Sequence, residues 1–140
     1  MKQFALLITL FICLNSFGNP PVHSNISRKV EKIVARIERT NELMGSTVSR
    51  AAIRPEQYDR FLELRQKATP MELVVLTNHR NGVVRCYALW ALTYLPFVDL
   101  SPIVQYHAHE TTVVKTFFDC FTSEQTVGSF FQNMTAKNLQ

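Results

Sequence analysis

Between Val83 and Leu95 the chain carries Val83, Val84, Cys86, Tyr87, Ala88, Leu89, Trp90, Ala91, Leu92, Tyr94 and Leu95, which leaves hardly any polar face. A helix that is apolar all round has to be enclosed by other elements, because a surface helix keeps one side for water. The enclosure must come from the same short chain. Its 140 residues, 46% hydrophobic and 19% charged, suit one self-folding domain and exclude disorder. Four Gly and six Pro exclude a collagenous or linker-rich chain, and three Cys are too few for a disulfide-built miniprotein.

The rest of the chain reads as helices. In Ser24 to Met44 the residues Ile26, Val30, Ile33, Val34 and Ile37 recur at spacings of three and four, and Gly45-Ser46-Thr47 ends the pattern. A second helix is predicted from Pro55 to Lys67, where Pro55 suits a first helical position. Thr69-Pro70-Met71-Glu72 is a capping box that opens a third, running to Leu76. Asn81 is placed to cap the apolar fourth helix, and Pro96 closes it. A fifth helix is expected from Ser101 to His109 and a sixth from Thr112 to about Phe121. A second capping box, Thr122 to Gln125, then precedes a last helix marked by Val127, Phe130, Phe131 and Met134. The fold class expected is therefore all-α.

An internal echo extends this reading. His79-Arg80-Asn81-Gly82-Val83-Val84-Arg85 recurs thirty positions later as His109-Glu110-Thr111-Thr112-Val113-Val114-Lys115. One helical hairpin per repeat is the mark of a solenoid, in which each hairpin buries its face on the next. The segment Glu72 to Leu92 resembles a HEAT repeat, with Asn78, His79, Asn81, Val84, Arg85, Ala88 and Leu92 matching that family's turn and second helix. Arg80 and Gly82 stand where the family often has Pro. The whole chain is also similar to small exported bacterial HEAT-like proteins without an assigned activity. The resemblance implies a short right-handed α-α superhelix of about three hairpins, with Arg85 bridging neighbouring repeats and His79 structural.

At the N-terminus, Lys2, the apolar run Phe4 to Leu14 and the small residues Ser16 and Gly18 form a signal-peptide pattern, with cleavage expected after Gly18. The run is too short for an ordinary transmembrane span, and Cys13 lacks the small preceding residue that a lipid-modification site wants. Residues 1–18 are thus read as a leader and 19–140 as the mature domain, which is expected to be periplasmic or secreted. Between Arg28 and Lys67 ten basic and six acidic residues give a local net charge of +4. A mixed face of this kind suits solvent, with an anionic membrane surface as a second partner for this region. The charge pattern is too mixed for a nucleic-acid stripe.

Candidate chemistry is sparse. The chain has no HExxH, CxxC, glycine-rich phosphate loop or Gly-x-Ser-x-Gly elbow, so no cofactor is expected. His107 and His109, two apart, point about 200° apart on a regular helix. Cys86 and Cys120 both fall in segments read as apolar helix, where a thiol is inert. The stacked register of the echo also places them too far apart for a disulfide. The function expected is a non-catalytic module that binds another protein, with His107, His109, Phe130 and Phe131 as candidate contacts. The alternative is a small metal- or thiol-dependent envelope enzyme in which two or more of His79, His107, His109, Cys86 and Cys120 converge in one cavity.

Overall fold

The computed structural model describes residues 26–138, in the order α1 (Arg28–Thr40), β1 (Leu43–Val48), α2 (Glu56–Lys67), α3 (Pro70–Leu76), α4 (Gly82–Leu92), α5 (Ser101–His107), β2 (Val113–Asp119), β3 (Phe121–Thr126) and α6 (Val127–Asn138). The predicted leader and Cys13 lie outside the described residues.

α1 buries Val30, Ile33, Val34 and Ile37, is capped by the Ser27 side chain, and ends at Asn41 in the left-handed region. That turn sends the chain directly into β1. Gln57, buried on α2, donates from Nε2 to the carbonyls of Ile37 (3.2 Å) and Glu42 (3.0 Å), tying the end of α1 to the start of the strand. α3 opens on the Thr69–Glu72 capping box, and Glu72 Oε1 also accepts the Ser27 N–H at 2.8 Å. α4, capped by Asn81 onto Val84 N–H, lies at the centre and touches α1, α2, α3, α6, β1 and β2. Val84, Cys86, Tyr87, Ala88, Leu89, Ala91 and Leu92 are all fully buried there.

The three strands lie in the order β1-β2-β3, with β1 parallel to β2 and β2 antiparallel to β3. A parallel neighbour requires a crossover, and α2 to α5 supply it. Along β2, Val114 and Thr116 are buried while Val113 and Lys115 are exposed, the alternation of a strand with one covered face. Two glycines allow the close approaches. A side chain at Gly82 would come within 2.8 Å of Val114, and one at Gly128 within 2.8 Å of the carbonyls of His107 and Ala108.

The sheet overturns the all-α expectation and, with it, the HEAT-like superhelix. Of the segment expected to form the second hairpin, about residues 99–121, the first helix is present as α5, but the second is replaced by a loop and β2. The thirty-residue echo therefore repeats letters without repeating structure. Gly45, Ser46 and Thr47 belong to β1 rather than ending a longer first helix. Thr122 to Gln125 are extended in β3 rather than capping a helix, and α6 is instead capped by Thr126 Oγ1 accepting Ser129 N–H at 3.1 Å. Instead of stacking on a copy of its own hairpin, α4 is enclosed by helices and by the sheet.

Candidate functional site

A groove of about 560 Å³ lies where the sheet, α4 and α6 meet, lined by Gly45, Ser46, Trp90, Phe118, Asp119, Gln125, Phe130, Asn133 and Met134. Its size is within the range of small-ligand sites. Trp90, half-buried at the end of α4, stacks on Phe61 (ring centroids 4.5 Å apart, planes 22° apart). Tyr87 (6.1 Å, 18°) and Tyr58 (5.9 Å, 52°) also lie beside the indole. Phe118 lies 6.0 Å from it at a tilt of 49°, and Gly45 is what lets that phenyl ring lie against β1. Phe130 and Met134 come from α6, one turn apart, and complete an apolar floor. The rim is polar. Ser46, Gln125 and Asn133 supply a hydroxyl and two amides, and Asp119 accepts a hydrogen bond from Thr47 Oγ1 at 3.0 Å.

Asp119 owes its position to the β2–β3 turn. Phe118 pairs with Phe121, so Asp119 and Cys120 form a two-residue connection, and Asp119 takes a φ of 53°. Aspartate is among the few side chains that tolerate the left-handed region.

The residues singled out from the sequence are dispersed. Phe130 lines the groove, whereas Phe131 is fully buried behind it. His107 lines a separate groove of about 280 Å³ between α3 and α5, with Val74, Thr77, Asn78, Pro102, Ile103 and Tyr106. His109 is exposed in the loop after α5. His79 accepts Asn81 N–H on Nδ1 at 3.2 Å and lies 4.0 Å from Glu38. Burial pushes its pKa down, Glu38 opposes this, and Arg80 and Arg85 add to it. Cys86 is buried in α4, where desolvation drives its thiol pKa far up. Cys120 is not in an apolar helix as expected but exposed in the hairpin turn. Both are free thiols. Among the described residues no cluster of three or more His, Cys, Asp and Glu is placed to hold a metal ion.

A second polar cluster ties α4 to the α5–β2 loop. Arg85 Nη1 donates to Glu110 Oε2 at 3.0 Å, and Glu110 Oε1 accepts from the backbone N–H and hydroxyl of Thr112. Those Thr112 hydrogen bonds hold the Glu110 carboxyl below its usual range. His107 sits between the rings of Tyr106 and Phe131, each 4.9 Å away, with its Nε2 buried and without a hydrogen-bond partner among the described residues. Desolvation lowers its pKa, and the Arg85 charge adds to that while Glu110 opposes it. Arg85 Nε is likewise buried and unpartnered.

In the Arg28–Lys67 region several cations are internally neutralised: Arg36 pairs with Glu63, Arg54 with Asp59 and Arg60 with Glu56. No described helix is long and apolar enough to cross a membrane.

Comparison with known proteins finds no matching family model, no matching curated protein and no matching solved structure. Of the groove's members only Phe130 was a candidate contact from the sequence; Gly45, Ser46, Trp90, Phe118, Asp119, Gln125, Asn133 and Met134 were not. The one available signal was Phe118-Asp119-Cys120-Phe121, two aromatic residues flanking a two-residue turn.

Proposed function

We propose that this chain is an exported, non-catalytic binding module whose partner, another protein, seats a side chain in the groove between the sheet, α4 and α6. The observation that carries this reading is the composition of the site. Four apolar side chains from α4, β2 and α6 converge on one opening, and the groups around them are suited to hydrogen bonding. Anchor pockets at protein interfaces have this form, a desolvated apolar centre with a polar rim. Export rests on the Met1–Gly18 pattern of a basic start, a short apolar run and a small-residue cleavage site.

Asn133 is exposed on α6, so Asn133→Tyr fills the groove without disturbing the core. Affinity capture from the envelope fraction of the native host should retain a specific protein with the wild-type chain and lose it with Asn133→Tyr. Equal capture by both would place the interaction elsewhere. N-terminal sequencing of the native protein should start at Asn19, and a mature chain starting at Met1 would remove the export half of the reading.

A further inference from the structure

We infer that the group seated in this groove is an arginine side chain of the partner. This rests on the groove being the binding site and adds the chemistry of its occupant. Among the described residues Asp119 is the only charged one in the lining, and its carboxylate favours a cationic occupant over an anionic one. Thr47 occupies one oxygen of that carboxylate, which leaves the other for an incoming donor. The floor favours a guanidinium over a compact ammonium, because a planar, weakly hydrated cation stacks on aromatic faces and buries an aliphatic stem on apolar side chains. Trp90 and Phe118, both partly exposed, supply the aromatic surface, with Phe130 buried beneath it and Met134 a surface for the stem. A guanidinium carries five N–H donors and no acceptor. The amide oxygens of Gln125 and Asn133 and the Ser46 hydroxyl are acceptors on the same rim.

Citrulline matches arginine in shape and lacks its charge, so a pair of capped tripeptides with arginine or citrulline between two glycines isolates the inference. The chain has a single tryptophan, Trp90, which makes its fluorescence a report on the groove. The arginine peptide should give a saturable change, with the citrulline peptide about tenfold weaker, the scale of a cation–π contact joined to an ion pair. Asp119→Asn removes the ion pair and should narrow the difference between the two peptides, leaving the cation–π share. Asparagine tolerates the left-handed backbone at this turn and keeps an acceptor for Thr47, so the variant preserves the hairpin. If the citrulline peptide binds as tightly as the arginine peptide to the wild-type protein, the charge inference falls while the groove remains a binding site. If neither peptide changes Trp90 fluorescence, the arginine inference is wrong, and capture with Asn133→Tyr then decides separately whether the groove binds anything.

Discussion

The Tyr87 hydroxyl closes both backbone groups of Met44: it accepts the Met44 N–H at 2.8 Å and donates to the Met44 carbonyl at 3.0 Å. A helix side chain thus does for β1 what a further strand would do. β1 has β2 on one side only, and a buried edge without partners would leave polar groups unsatisfied. The enclosed helix and the strand are coupled through this one side chain, which also stacks on Phe61 at 5.1 Å.

Tyr87→Phe keeps the ring and removes both hydrogen bonds. Each buried backbone group left without a partner costs about 1–3 kcal/mol. The variant should therefore unfold at clearly lower denaturant than wild type, by about 2 kcal/mol or more. An unchanged midpoint in a urea titration would mean that β1 finds other partners. Burial pushes the Tyr87 phenol pKa up and the Met44 N–H opposes this, so the hydroxyl is protonated at neutral pH.

The apolar run was enough to identify the enclosed helix, because a segment without a polar face has few other places in a folded chain, but the helix ends at Leu92 rather than at Pro96 and leaves Tyr94 exposed. Local capping chemistry at Thr69, Glu72 and Asn81 was also legible, since each cap acts within three residues. The strands were not. β2 puts Val113 and Phe117 on one face and Val114 and Phe118 on the other, so hydropathy does not alternate even though burial does. In β3 the Thr122–Gln125 segment has the letters of a capping box, yet Ser123 Oγ lies 2.7 Å from Thr116 Oγ1 across the strands. Cross-strand pairing, which is non-local, outweighed the local helix signal. The groove was invisible for the same reason, because its walls come from β1, α4, β2, β3 and α6 and exist only once the sheet forms.

Leu92 is fully buried at the last turn of α4, and truncating it leaves a cavity that the surrounding elements cannot all fill. Leu92→Ala should cost about 2–5 kcal/mol. Chemical denaturation measures this, and a loss below 1 kcal/mol would show that α4 is less central than its contacts indicate.

Stability should fall on the acid side in two separate windows. Burial raises the Glu72 pKa, but hydrogen bonds from Thr69 and Ser27 outweigh it and bring the carboxyl from 4.5 to about 2. The unfolded chain thus binds this proton more readily than the fold. Glu72 contributes stability that is full above about pH 4.5 and is lost as pH falls toward 2. His107 and His79 also have folded pKa values below 6.5, which makes their contribution full above 6.5 and lost as pH falls through the folded values. Unfolding midpoints measured from pH 7 to 3 should decline first just below 6.5 and again below 4.5. His107→Leu should flatten the first decline in part, with His79 carrying the remainder, and Glu72→Gln should flatten the second in part, with Glu110 contributing to the rest. A profile unchanged in both variants would show that neither group is linked to folding.

The two described cysteines give the most direct check on the hairpin. If residues 112–121 were a buried helix of a solenoid, Cys120 would be shielded much as Cys86 is. In the observed fold Cys86 is fully buried in α4 and Cys120 is exposed at the β2–β3 turn. A maleimide reagent should therefore label one of these two positions on the native protein within the time of simple mixing, and peptide mapping should place the adduct on the Phe118–Phe121 turn. Cys86 should react only as the domain unfolds, at a rate that follows global stability, because its enclosure on every side leaves no local opening that exposes it. Equal labelling of both in the native state, or protection of both, would contradict the sheet and remove the turn that positions Asp119 on the groove.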